Sequence, residues 1–166
     1  VIGRDISGWW STVRLGKGSE DGLAVDQAVI TAEGLIGRVT AVSPGTADVL
    51  LISDPTCRIS ARVQRSGTSG VLTGRRRPLN ENALCRLDFI SKDVRIRAGD
   101  EVVTSGLGGV FPGGLLIGYV DRISRDDDGL YQYADVLPTA DLERLTVVFA
   151  IARRMLDEPA GEGGGS

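Results

Sequence analysis

The sequence predicts an all-β protein, built as two small six-stranded β-barrels in tandem. Three observations predict it. Val, Ile and Thr are plentiful and glycine occupies 23 of 166 positions, the mark of short strands joined by turns. Long apolar stretches of 3.6-residue period are scarce, while period-two alternation recurs. The chain also repeats itself in order. Arg14-Leu15 and Ser19 match Arg86-Leu87 and Ser91 at an offset of 72, and Val29–Thr31 matches Val102–Thr104 at 73. "LIGRV" (Leu35–Val39) matches "LIGYV" (Leu116–Val120) at 81, and "ADV" (Ala47–Val49) matches Ala134–Val136 at 87. The offset only grows, so the second copy is the first with two longer loops. A unit of about six strands suits a closed or half-closed barrel. The expected division is 1–78, 79–152 and a disordered tail 153–166, with strand exchange between the barrels open.

Each element follows from its own pattern. Trp9–Leu15 alternates, with Trp9, Val13 and Leu15 on one face. "KGSEDG" is a turn, Ala28–Thr31 a strand, and "AEG" turns into Leu35–Val42. Ala47–Ile52 is apolar on both faces and predicts a central, buried strand closed by "SDP". Cys57, Ile59, Ala61 and Val63 face inward against Arg58, Ser60 and Arg62. Val71–Thr73 is short, and "GRRRPLNEN" is a polar hairpin end. Leu84–Ile90 alternates with Cys85, Leu87 and Phe89 inward. Strands at Asp100–Thr104, Leu116–Ile123, Leu130–Leu137 and Leu145–Ile151 complete eleven or twelve, with one helical turn at Thr139–Arg144.

Composition excludes several chemistries. Histidine is absent, which removes Ser-His-Asp and Cys-His catalysis and every zinc site that needs imidazole. Cys57 and Cys85 both fall on inward faces; they read as buried hydrophobes, with a disulfide left open. No C-x-x-C spacing exists, so no metal or redox motif is present. No apolar stretch nears the ~20 residues of a membrane span. The chain begins at Val1 and reads as a piece of a longer protein.

The run "TSGLGGVFPGGLLIGYV" (Thr104–Val120) holds six glycines. A P-loop would need a lysine, which the run lacks, and a dinucleotide loop would need a third glycine where Phe111 stands. A hydrolase using Ser105 would need a base, and the only lysines, Lys17 and Lys92, lie in hydrophilic turns. The glycines and Pro112 instead fold a turn. That leaves Val110 and Phe111, apolar in a loop tip, either tucked onto the barrel mouth or meeting a partner. "RDDDG" (Arg125–Gly129) lacks the alternation of a calcium loop and reads as a hairpin tip.

Charge is uneven. Residues 58–97 hold ten Arg/Lys against three Asp/Glu in a chain of net charge −3. Arg58 and Arg62 share an outer strand face, and Arg75, Arg76 and Arg77 lie on a loop. No aromatic residue interleaves with them and the pI is about 5.0, which favours protein–protein electrostatics over nucleic acid.

"WWSTVRLGKGSEDGLAVDQAVITAEGLIGRVTAVSPGTADVLLISDP" and "GDEVVTSGLGGVFPGGLLIG" (Gly99–Gly118) resemble the rod-shape-determining MreC family over roughly Val1 to Ile151. The resemblance implies two barrels in a chymotrypsin-like arrangement without catalytic residues. They would lie on the extracytoplasmic (periplasmic) face of the bacterial cytoplasmic membrane, in a parent anchored by a transmembrane helix. It implies a non-enzymatic scaffold of the elongation machinery that builds lateral peptidoglycan, with no cofactor and no small-molecule substrate. The implied partners are MreC itself, the elongation-specific penicillin-binding transpeptidase, MreD, and the actin-like MreB through a segment outside this chain. A degenerate peptidase-like hydrolase using Ser105, and a wall-polymer binding module that reads anionic groups with Arg58, Arg62 and Arg75–Arg77, remain the alternatives. Leu116 stands where the family often has proline, and Gly74–Cys85 is longer and more basic than usual.

Overall fold

A computed structural model describes residues 3–5, 12–75, 83–142, 145 and 148–151. Trp9, Arg76, Arg77, most of the basic hairpin end and the expected tail lie outside them. Twelve strands are present among the described residues: β1 (Gly3–Asp5), β2 (Thr12–Leu15), β3 (Ala28–Thr31), β4 (Gly34–Val42), β5 (Ala47–Leu51), β6 (Arg58–Val63), β7 (Ser69–Arg75), β8 (Leu84–Ser91), β9 (Glu101–Thr104), β10 (Leu116–Arg125), β11 (Tyr131–Pro138) and β12 (Phe149–Ala150). They form two sheets. One is six-stranded in the order β1-β2-β5-β4-β3-β12; the other is a closed barrel in the order β10-β11-β8-β7-β6-β9.

The sheets divide the chain elsewhere than at residue 78. β6 and β7, expected in the first unit, pair into the closed barrel, and β12 returns to pair with β3 of the first sheet. The reason is the register: β6 bonds β9 on one side and β7 on the other, while β7 bonds β8, so this hairpin is the piece that closes the barrel. The only helix among the described residues is a single 3-10 turn at Ser19–Asp21. The expected helical turn at Thr139–Arg144 is not one over its described part, and the Thr139 amide donates to Ile117 O across the sheet.

The sequence repeat is a structural repeat. The order β2-β5-β4-β3 in the first sheet matches β8-β11-β10-β9 in the barrel. The register shift after Val39 in β4 recurs after Val120 in β10. Individual hydrogen bonds recur as well. Asp26 N–H bonds Val39 O at 2.8 Å and Gly99 N–H bonds Val120 O at 2.7 Å. Ile52 N–H bonds Ile36 O at 2.9 Å and Thr139 N–H bonds Ile117 O at 3.0 Å. β1 and β12, at the outer edges of the first sheet, stand where β7 and β6 stand in the barrel.

Period-two alternation buries one face of each strand, as in β6, where Ile59, Ala61 and Val63 are inside. Leu72, Cys85, Leu87, Val102, Ile117, Val120, Ala134 and Val136 fill the barrel, while Val13, Val29, Leu35, Ile36, Val39, Val49 and Leu51 serve the first sheet. β5 is central and buried, as its two apolar faces predict. Gln132 is buried at one barrel end, where its Nε2 donates to Ser91 O at 2.8 Å and Val94 O at 2.6 Å; these bonds offset the cost of burying an amide.

Candidate partner-binding face

The glycine-rich run forms a loop held from its base. Thr104 Oγ1 donates to Pro112 O at 2.6 Å and accepts from Leu115 N at 2.9 Å, and Ser105 N–H reaches Ser60 O at 2.9 Å. Gly106, Gly108, Gly109 and Gly114 have φ between 75° and 86°, which explains their chemistry. The loop folds its own apolar residue inward. Phe111 is 5% exposed and belongs to the core, with Val110 packed against it. Phe111 is therefore an anchor for the loop rather than a contact for a partner. The exposed apolar residue here is Leu107. Ser105 Oγ accepts from Leu107 N at 3.2 Å, an ordinary turn bond.

The arginines fall in different places. Arg58 and Arg62 share the outer face of β6, and Arg75 ends β7. Arg65 is committed elsewhere: its Nε and Nη2 each bond Asp100 at 2.9 Å, and Nη2 also reaches Arg95 O. "RDDDG" is the tip of the β10–β11 hairpin, with Asp128 Oδ1 accepting from Leu130 N.

A cluster of exposed apolar residues lies on β8, β11 and β10, and the sequence reading missed it. All three tyrosines of the chain are on this outer face. Tyr131, Tyr133 and Leu137 alternate with buried Gln132, Ala134 and Val136 along β11, and Tyr119 on β10 pairs opposite Leu137. Phe89, expected inward, joins them at 61% exposure. The register between β11 and β8 slips between Gln132 and Ala134, so Asp88 and Phe89 form a bulge; Phe89 takes φ +63° and Ile90 takes the inward place. A bulge turns a strand at the cost of its alternation, and a left-handed Phe costs about 1–3 kcal/mol.

The face is built from contacts. Phe89 meets Tyr131 edge-on, with ring centroids 5.9 Å apart at 83°. Arg86 Cζ lies 4.1 Å from the Tyr133 ring centroid, a cation–π stack. Desolvation in this setting raises the pKa of Asp88; Arg86 and Arg75 oppose the rise, and Asp126 and Asp135 add to it. Exposed Tyr, Phe and Arg are the residues that anchor protein interfaces. One signal pointed here: Tyr119 replaces Arg38 of the first copy, in "LIGYV" against "LIGRV".

No group of three or more potential metal ligands occurs among the described residues, and none of their helices is long and apolar enough to cross a membrane. The family profile "Rod shape-determining protein MreC, barrel core" matches residues 1–152. The cell shape-determining protein MreC of Listeria monocytogenes is 38% identical over 156 residues, covering 92% of this chain and 52% of that protein. The chain thus spans about half the length of the curated relatives it matches. A solved Listeria MreC superposes with a TM-score of 0.84 at 38% identity, covering 92% of this chain and 73% of that one. MreC from Pseudomonas aeruginosa superposes at 0.82 with 32% identity, covering 90% and 94%.

Proposed function

Because the chain belongs to the MreC barrel-core family, we propose that it is the scaffold region of a cell-elongation complex. It organises lateral wall synthesis, and so cell shape, by holding a wall-synthesis enzyme and by self-association, without catalysis of its own. The observation that carries this reading is the outer face of β8, β11 and β10, where three tyrosines and a strained, exposed Phe89 gather. A fold relative at 24% identity and TM-score 0.59 comes from a complex between a penicillin-binding protein (PBP2) and MreC of Helicobacter pylori. That likeness carries the fold, and the pairing in that protein motivates the elongation-specific transpeptidase as partner here. MreD, and MreB through a further segment of the parent protein, complete the proposed assembly on the extracytoplasmic side of the membrane.

The reading includes a finer architecture. With β1 and β12 in the places of β7 and β6, the first sheet is the frame of a second barrel, in a chymotrypsin-like arrangement with the closed one. Titration calorimetry of the chain with the transpeptidase's extracytoplasmic domain tests the face. Tyr119→Ala and Tyr131→Ala should each weaken binding tenfold or more. Unchanged affinity in both variants would remove the face from the proposal.

A further inference from the structure

Residues 55–80 contain six arginines and no Asp, Glu or Lys. Their described part is the β6–β7 hairpin, which the barrel order places on the side opposite β10 and β11. Its inward side chains are core. Its outward residues pair as Arg58 with Thr73, Ser60 with Val71 and Arg62 with Ser69, and Arg75 extends β7 beyond them. Arg65 is paired with Asp100, whereas Arg58, Arg62 and Arg75 make no salt bridge among the described residues. Ser60 lies between Arg58 and Arg62 along β6, and Thr73 and Ser69 stand cross-strand from the two arginines.

We propose that the outer face of β6–β7 binds a linear anionic polymer with phosphodiester groups on a non-aromatic backbone. The guanidinium fork matches phosphate oxygens, and hydroxyls donate to those that remain. Arg58 and Arg62 lie about 13 Å apart along a single strand. This is a line rather than a cup, which suits a chain of phosphates over one ion. Residues 55–80 contain no aromatic residue, so nothing stacks on nucleic-acid bases. None of the exposed large hydrophobic residues belongs to β6 or β7, so nothing inserts into a lipid surface. Charge complementarity is left as the recognition element. The tyrosines of β10 and β11 lie across the barrel, while β7 borders β8 directly, where Arg75 acts on Asp88.

Fluorescence anisotropy of the chain with labelled poly(glycerol phosphate), across a salt series, tests this. Wild type should bind with an affinity that falls as salt rises. The triple variant Arg58→Gln, Arg62→Gln, Arg75→Gln should bind at least tenfold more weakly, with the log–log salt slope shallower by about two to three units. The matching Arg→Lys triple should keep the slope and guards against a folding defect, which circular dichroism also monitors. Tyr131→Ala should bind the polymer as wild type does, which separates this site from the protein-binding face. The proposal is overturned by wild-type affinity in the Gln triple, by loss of slope in the Lys triple, or by equal loss in Tyr131→Ala. Phosphatidylglycerol vesicles or oligo(dT) binding as tightly as the polymer would also overturn it.

Discussion

Phe89 and Tyr131 meet edge-to-face at 5.9 Å, and the meeting depends on a phenylalanine held at φ +63°. In the proposed reading, this strain presents the ring for recognition at a cost to stability. Phe89→Gly should therefore leave thermal stability equal or higher, since glycine adopts this conformation freely, while transpeptidase affinity falls about tenfold. Differential scanning fluorimetry and calorimetry on the same variant check the two halves. A lower melting temperature would show that the ring supports the fold instead.

Gly37 and Gly118 occupy the same place in the two copies. A Cβ on Gly37 would meet Leu50 O, and one on Gly118 would meet Leu137 O, each at 2.0 Å. The obstacle is backbone in both cases, so it cannot swing aside. Gly37→Ala and Gly118→Ala should each cost about 1–3 kcal/mol or more. Urea denaturation should show similar losses for the two, because the sites repeat one another.

Cys57 and Cys85 are free and fully buried, with Gly74 of the intervening strand opposite Cys85. Burial pushes the Cys57 thiol up to about 12 and raises Cys85 as well, helped there by the neighbouring Cys57. Thiolate is the reactive form. Iodoacetamide at pH 8 should leave the native chain unmodified and label both thiols in denaturant. Mass spectrometry that finds rapid native labelling would contradict this burial.

Acid should act through Asp100. Hydrogen bonds from Arg65, and then the Arg97 amide at 2.8 Å, hold its carboxyl below the ordinary value of 3.8. The folded chain thus binds this proton less readily than the unfolded chain does. The stabilisation is complete above the ordinary value and is lost as pH falls through the folded one. Asp88 has the opposite sign: its raised pKa costs stability at neutral pH, and that cost disappears as the group protonates. Melting curves from pH 7 to pH 3 should show Asp100→Asn destabilised at neutral pH with a flattened acid limb. Asp88→Asn should be slightly stabilised at pH 7 and match wild type at low pH.

Local pattern made the strands legible. β6 follows its alternation residue by residue, and the four sequence matches mark the four strands that share one order in both sheets. Closure was not legible. Whether β6 and β7 join the first or the second unit depends on long-range register, which alternation does not carry. Phe89 failed for a related reason: a bulge breaks period two, and nothing in "LCRLDFIS" marks where the barrel bends. Phe111 had an open reading, inward or outward, and only the packed loop decided it. The arginines on β6 were placed correctly, because an outward position on a regular strand needs only the local pattern.

The return of β12 to the edge of β3 sets an order of events during synthesis. The first sheet leaves the ribosome early, yet it lacks its final strand until Phe149 and Ala150 have been made. The closed barrel draws all six of its strands from Arg58 to Pro138 and none from either end of the chain. The unit translated second can therefore be finished first. A chain cut before Phe149 keeps a whole barrel but exposes the bare edge of β3, and an open edge is where unrelated strands add on.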